Sequence, residues 1–173
     1  MHLSSQEEYG FRCLLQVARH EGPDPMPTAQ IAEREGLTPE YTAKLMRLLR
    51  QGDLVHSTRG ASGGYRLGRE PETISVWNVL EVLGGGFFQD AFCEEHSGAL
   101  RDCAHSTNCS LRAVWRGLDS LVRTALSAIT LEDLRHGERP TEWITQARFA
   151  AQAPDFVDPP CSSQPNPATE EQR

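Results

Sequence analysis

The chain has 173 residues, 38% of them hydrophobic, and a formal net charge of -7; this is the composition of a globular protein with room for one compact domain and an appendage, not two enzyme-sized cores. No apolar run nears the roughly 20 residues a membrane-spanning helix needs, and the opening MHLSSQEEYG has neither the basic start nor the apolar stretch of a secretory signal, so a cytoplasmic protein with no membrane partner is expected. The acidic average argues against bulk attraction to nucleic acid, but it conceals a basic segment: between Gly36 and Arg69 stand Lys44, Arg47, Arg50, Arg59, Arg66 and Arg69 against only Glu40 and Asp53, six cations less two anions, a local excess of four.

Ser4 and Ser5 each have a glutamate three residues later, Glu7 and Glu8, a doubled capping-box signature for a first helix reaching Ala18 or His20. The prolines of GPDPMP, residues 22–27, end it. A short helix, AQIAERE, follows with Thr28 as its expected cap and Gly36 as its stop. Thr38-Pro39 then supplies an N-cap and a proline at the first helical position of the next helix. In that helix Tyr41, Leu45, Leu48 and Leu49 share one face, and Glu40, Lys44, Arg47 and Gln51 share the other.

After Gly52-Asp53, the runs LVHST and GYRL alternate in polarity around the glycine-bearing tip RGASG, residues 59–63, which includes Ser62 and Gly63. This is a β-hairpin. Helix, helix-turn-helix and hairpin in this order form a winged module, expected over 1–84. Its second turn helix can lie in a DNA major groove, with Thr38, Glu40 and Tyr41 toward base edges and Lys44, Arg47 and Arg50 toward phosphates; the hairpin tip reaches the flanking groove. The segment ISVWNVLEVLGGG, residues 74–86, reads as one more short helix capped by Ser75.

Next comes FCEEHSGALRDCAHSTNC, in which Cys93, Cys103 and Cys109 are spaced C-x9-C-x5-C. In a reducing compartment three cysteines within 17 residues point to metal or redox chemistry before disulfides. Cys13 reads as a small buried hydrophobe, and Cys161 stands alone. From Leu111 to Ile129 apolar residues hold helical spacing for about five turns, with Trp115 and Leu118 read most simply as core. The winged module is too small to cover so long a stripe, so a second copy of the chain is expected to pack on it. ITLEDLRHG closes the fold, and residues 154–173 have the proline-rich polar composition of a disordered tail. The expected fold class is therefore mainly α with a small β-wing: a cysteine loop at 85–110 joins the winged domain to a dimerisation helix and closing helix at 111–136.

The opening MHLSS, the segment LTPEYTAKLMRLLRQGDLVHSTRGASGGYRLGR, the ISVWNVLEVL helix, the three cysteines and the closing ITLEDL together resemble the Rrf-two family of winged helix-turn-helix transcription regulators, over roughly residues 1–136. The resemblance implies a homodimer on a palindromic operator in double-stranded DNA, with Arg59 at a DNA-contacting position. It also implies an iron-sulfur cluster, 2Fe–2S or 4Fe–4S, held by Cys93, Cys103 and Cys109 beside the dimerisation helix, and hence a regulator responding to nitric oxide, redox state or iron and cluster supply. Two departures concern the ligands: the first cysteine gap is wider than is usual in the family, and Arg112 stands where one branch carries a histidine ligand. Other members complete the cluster with an acidic residue near the start of the partner chain, and Glu8 occupies that place.

Local physics offers competing readings. Ser5-x-x-Glu8 is a capping box that needs no metal, and Arg12, one turn on from Glu8, is placed to pair with it. The cysteines could hold structural zinc with His96 or His105, or act as metal-free redox thiols, although the tight C-x2-C knuckle of zinc sites is missing. No nucleotide-binding glycine motif, nucleophile elbow or paired acid-base constellation is present, which argues against an enzyme. Lys44, Arg47 and Arg50 could form only a solvated helix face, as most charge runs do, but the adjacent wing favours a docking surface, and the basic face argues against a purely protein-binding module.

Overall fold

The computed structural model describes residues 3–58, 60, 63–84 and 109–135. Helix α1, Ser5–Ala18, is capped by Ser4: its hydroxyl accepts from the Glu7 amide at 3.2 Å, and the Glu7 carboxylate accepts from the Ser4 amide at 2.7 Å. Of the two overlapping capping boxes, the chain thus uses Ser4–Glu7 and leaves Glu8 out. Helix α2, Thr28–Glu35, departs from expectation, because the cap position belongs to Pro27 and Thr28 is already helical. Backbone bonds of 2.9 Å each way between Met26 and Tyr65 pin the chain just before Pro27 and so fix where the helix begins.

Gly36 closes α2 with φ +65°, a left-handed conformation that costs glycine little and other residues more. Helix α3, Pro39–Gln51, starts as its sequence requires, with the Thr38 hydroxyl accepting from the Tyr41 amide at 3.2 Å. Strands β1, Val55–Thr58, and β2, Gly64–Leu67, pair antiparallel, with Val55 opposite Leu67 and His56 opposite Arg66. Gly64 lies against the Met26 carbonyl with no room for a Cβ. A single 3-10 turn, Pro71–Thr73, leads to α4, Val76–Leu83, where Ser75 and Asn78 form a second capping box.

Leu14, Ile31, Leu45, Met46, Leu49, Val55, Ile74 and Val79 are wholly buried and bring α1, α2, α3, α4 and the hairpin together. Within α3 the fully buried residues are Thr42, Leu45, Met46 and Leu49, and Tyr41 and Leu48 pack only partly against the core. The inward face is therefore turned slightly from the one the strongest apolar residues suggested. Leu45→Ala is expected to cost about 2–5 kcal/mol of stability, since the cavity adds to the lost transfer energy. Lys44→Ala, one residue away and exposed, should stay within about 0.5 kcal/mol. Urea denaturation of the two variants checks that folding and surface functions are separated along α3.

Helix α5, Ser110–Ser127, spans 18 residues and buries none of them. Its C-terminal half abuts α4, where the Arg123 guanidinium lies 4.8 Å over the Trp77 ring and pairs with Glu81 at 3.2 Å. Beyond it, α6, Leu131–Arg135, is capped by Thr130 and Asp133 and held to α1 by Arg19, which donates to the Leu134 and Arg135 carbonyls at 3.1 Å each. The reading of Trp115 and Leu118 as core is corrected here: Trp115 is half-buried, and Leu118 is exposed with Leu111, Val114 and Leu121. Among the described residues no helix is long and apolar enough to cross a membrane.

Candidate functional site

Helix α3 presents Glu40, Ala43, Lys44, Arg47, Arg50 and Gln51 to solvent. At 1.5 Å per residue this ridge is roughly 17 Å long. Among the described residues Lys44, Arg47 and Arg50 are engaged in neither an ion pair nor a side-chain hydrogen bond, so their charges are free for an external anion. Thr38 is exposed at the head of the ridge, its oxygen accepting from Tyr41 and its O–H still able to donate. Tyr41 is half-buried, with its ring edge-on to Tyr9 at 6.2 Å, so the first turn of α3 is braced from behind by α1.

At the hairpin tip, Gly60 has φ +116°, and a Cβ on Gly63 would meet the Thr58 and Gly60 carbonyls at 2.7 and 2.8 Å. That turn is too tight for a side chain at 63. Arg59 and Ser62 lie outside the described residues.

Of the three clustered cysteines, Cys109 is described: it occupies the N-cap position of α5, half-buried, with a free thiol and no capping hydrogen bond. Cys93 and Cys103 lie outside the described residues, as do His96, His105 and Cys161. Among the described residues no three metal-ligating groups come together. Glu8 is exposed, and because Ser4 caps α1 with Glu7, the local competing use of its carboxylate is removed. Arg12 does not pair with Glu8 as its spacing suggested. It binds Glu35 at 2.6 Å, whose side chain is only 7% exposed, and lies 5.3 Å over the Tyr9 ring; the Glu35 hydrogen bond raises the Arg12 pKa above its ordinary value. The closer geometry on α2 wins, and Glu8 contributes only through-space attraction.

Cys13 is fully buried, and loss of solvation pushes its thiol up to about 12. It is protonated at neutral pH and unsuited to ligation or oxidation. Among the described residues, two donors not otherwise engaged are the free thiol of Cys109 at the head of α5 and the exposed carboxylate of Glu8 on α1, a soft sulfur and a hard oxygen of the kinds iron accepts. The Arg12–Glu35 and Tyr9–Tyr41 contacts join residues 23 and 32 apart in sequence, and no local signal announces such pairs.

The family model described as an iron-dependent transcriptional regulator, Rrf2, matches residues 3–137. The HTH-type transcriptional regulator IscR of Vibrio vulnificus is 37% identical over 134 residues, covering 78% of this chain and 77% of the relative. Among solved structures, IscR of T. potens aligns with a TM-score of 0.59 at 32% identity, covering 78% of this chain and 85% of that one. CymR, the global cysteine regulator of B. subtilis, aligns with a TM-score of 0.61 at 29% identity, over 80% and 99%. The mainly helical architecture with its two-stranded wing is that of these winged-helix regulators, and the chain belongs to the Rrf2 family of transcriptional regulators, which are not enzymes.

Proposed function

We propose that the chain acts as a homodimer on a palindromic operator and that its affinity for DNA is set by an iron-sulfur cluster responding to nitric oxide, redox state or iron and cluster supply. The observation that carries the DNA side is the uncommitted cationic ridge of α3. Thr38, Glu40 and Tyr41 head that helix toward base edges, Lys44, Arg47 and Arg50 meet phosphates, and Arg59, Ser62 and Gly63 serve the neighbouring groove. Cys93, Cys103 and Cys109 would hold the cluster, with Glu8 of the second subunit as fourth ligand. A bound cluster supplies a redox-active, nitric-oxide-reactive iron centre.

The residues around these sites can couple them. Glu8 lies on α1, whose Tyr9 braces Tyr41 and whose Arg12 grips Glu35 at the end of α2; a shift of α1 therefore moves both helices of the helix-turn-helix. Differential binding of about 1–3 kcal/mol between two placements changes affinity roughly 5- to 150-fold, which suffices for regulation.

The DNA interface is tested by the double variant Lys44→Ala/Arg47→Ala. Because each substitution occurs in both subunits, four phosphate contacts are lost per dimer, which is expected to lower the slope of log K against log salt by about 3.6 and the affinity on the order of 1,000-fold at about 0.15 M salt, measured by fluorescence anisotropy on a labelled duplex. Unchanged affinity and slope would remove α3 as the docking face.

A further inference from the structure

His56 and Arg66 face each other across β1 and β2. Alternation sets Val55, Ser57, Tyr65 and Leu67 on one face, where Val55 is buried and Tyr65 and Leu67 pack on the core, while Ser57 near the tip is exposed. His56, Thr58, Gly64 and Arg66 share the other face. His56, Thr58 and Arg66 are exposed, and among the described residues neither the His56 nor the Arg66 side chain makes a hydrogen bond or an ion pair. This face carries no carboxylate. A cation and an N–H donor therefore sit directly opposite one another, with Cβ atoms about 5 Å apart, and toward the tip their neighbours are the exposed Thr58 and the buried Gly64, which lies against the Met26 carbonyl.

Such a pair gains nothing within the fold, since cross-strand groups of like or neutral charge do not attract. It does match a singly charged phosphodiester, whose two free oxygens accept from two donors. Its position along the hairpin suits the same partner. His56 stands two strand steps behind Thr58, the last residue of β1, about 7 Å. A minor groove is roughly 7.5 Å deep, so a tip at the groove floor would leave the pair level with the phosphates on the rim.

We infer that the outer face of the wing, through His56 and Arg66, clamps one backbone phosphate of duplex DNA. This rests on the reading of the chain as a DNA-binding dimer whose wing tip enters a groove. The clamp fixes how deeply the tip inserts and adds affinity without reading sequence.

The test uses the full chain, loaded as purified, and two labelled duplexes, one bound tightly and one of unrelated sequence, across a salt series. Arg66→Ala, which removes one contact from each subunit, is expected to lower affinity about 30-fold at about 0.15 M salt on both duplexes and to reduce the salt slope by about 1.8. Arg66→Lys retains the slope. His56→Ala, with one hydrogen bond lost in each subunit, weakens both complexes about 30-fold, and His56→Gln, which keeps a donor, restores part of the loss. Both positions are exposed, so thermal melting should be unaltered. Unchanged affinity and slope in Arg66→Ala and His56→Ala, with binding still weakened in Lys44→Ala/Arg47→Ala, overturns the clamp and leaves the DNA-binding reading standing. A loss confined to the tightly bound sequence replaces the phosphate with a base edge and also overturns it. If the Lys44 and Arg47 variant is unaffected as well, both the clamp and α3 as the docking face fail.

Discussion

Leu118→Glu is expected to leave the protein a 19.2 kDa monomer in sedimentation equilibrium and to weaken operator binding by at least about 100-fold. The reason lies in α5. Leu111, Val114, Leu118 and Leu121 are 62%, 52%, 39% and 47% exposed and follow one another at intervals of three, four and three residues, the seam of a helix that packs against another helix. Stripes of this kind are not left in water by a stable monomer. In a twofold interface each substitution occurs twice, so two carboxylates would lose solvation against apolar neighbours, at a cost of several kcal/mol. An operator bound through two linked reading heads gains roughly 10²–10⁴ over one head, and a monomer forfeits that gain. A Leu118→Glu protein that still sediments as a dimer would show that the stripe is covered by something else.

Cys109→Ser is expected to abolish most of the iron, acid-labile sulfide and visible absorbance of protein isolated without oxygen. Serine keeps the size of the side chain but replaces a soft sulfur donor with a hard hydroxyl, which iron-sulfur clusters rarely accept. The position is exposed enough for ligation, and its thiol caps nothing, so helix stability should change by only a few tenths of a kcal/mol. Cys13→Ala is the matched control. Its thiol is fully buried and protonated, so the iron content should be retained while stability falls by about 1 kcal/mol. Stoichiometric zinc in the parent protein, with no iron, would transfer the cysteines to the structural-metal reading. Glu8→Ala completes the series: an unaltered spectrum would exclude the carboxylate as a ligand.

Much of this fold is legible in single residues because the forces involved are local. Thr38 with Pro39, Ser75 with Asn78, and Gly36 each act within four residues, and each stands where its sequence placed it. Local rules fail where two of them apply equally. Ser4–Glu7 and Ser5–Glu8 satisfy the same box, and Thr28 is a better cap than Pro27 in isolation. For α2 the tertiary bridge from Met26 to Tyr65 decides. The burial of Thr42 and Met46 and the exposure of Leu118 depend on which neighbours arrive, which periodicity alone leaves open. Arg12 shows the same limit: its near partner Glu8 was legible, but its actual partner Glu35 comes from another helix. At the site, residue types on α3 disclosed a cationic face. The pairing of His56 with Arg66, by contrast, needed the hairpin register.

The most direct measurement is the operator affinity of one anaerobic preparation, with its iron content determined, before and after the iron is removed by a chelator. Capture of iron by the segment between wing and α5, coupled to the placement of two α3 helices, predicts a change of roughly 5- to 150-fold that is reversed by reconstitution and absent in Cys109→Ser. Equal affinity with and without iron, in protein shown to be loaded, would contradict it.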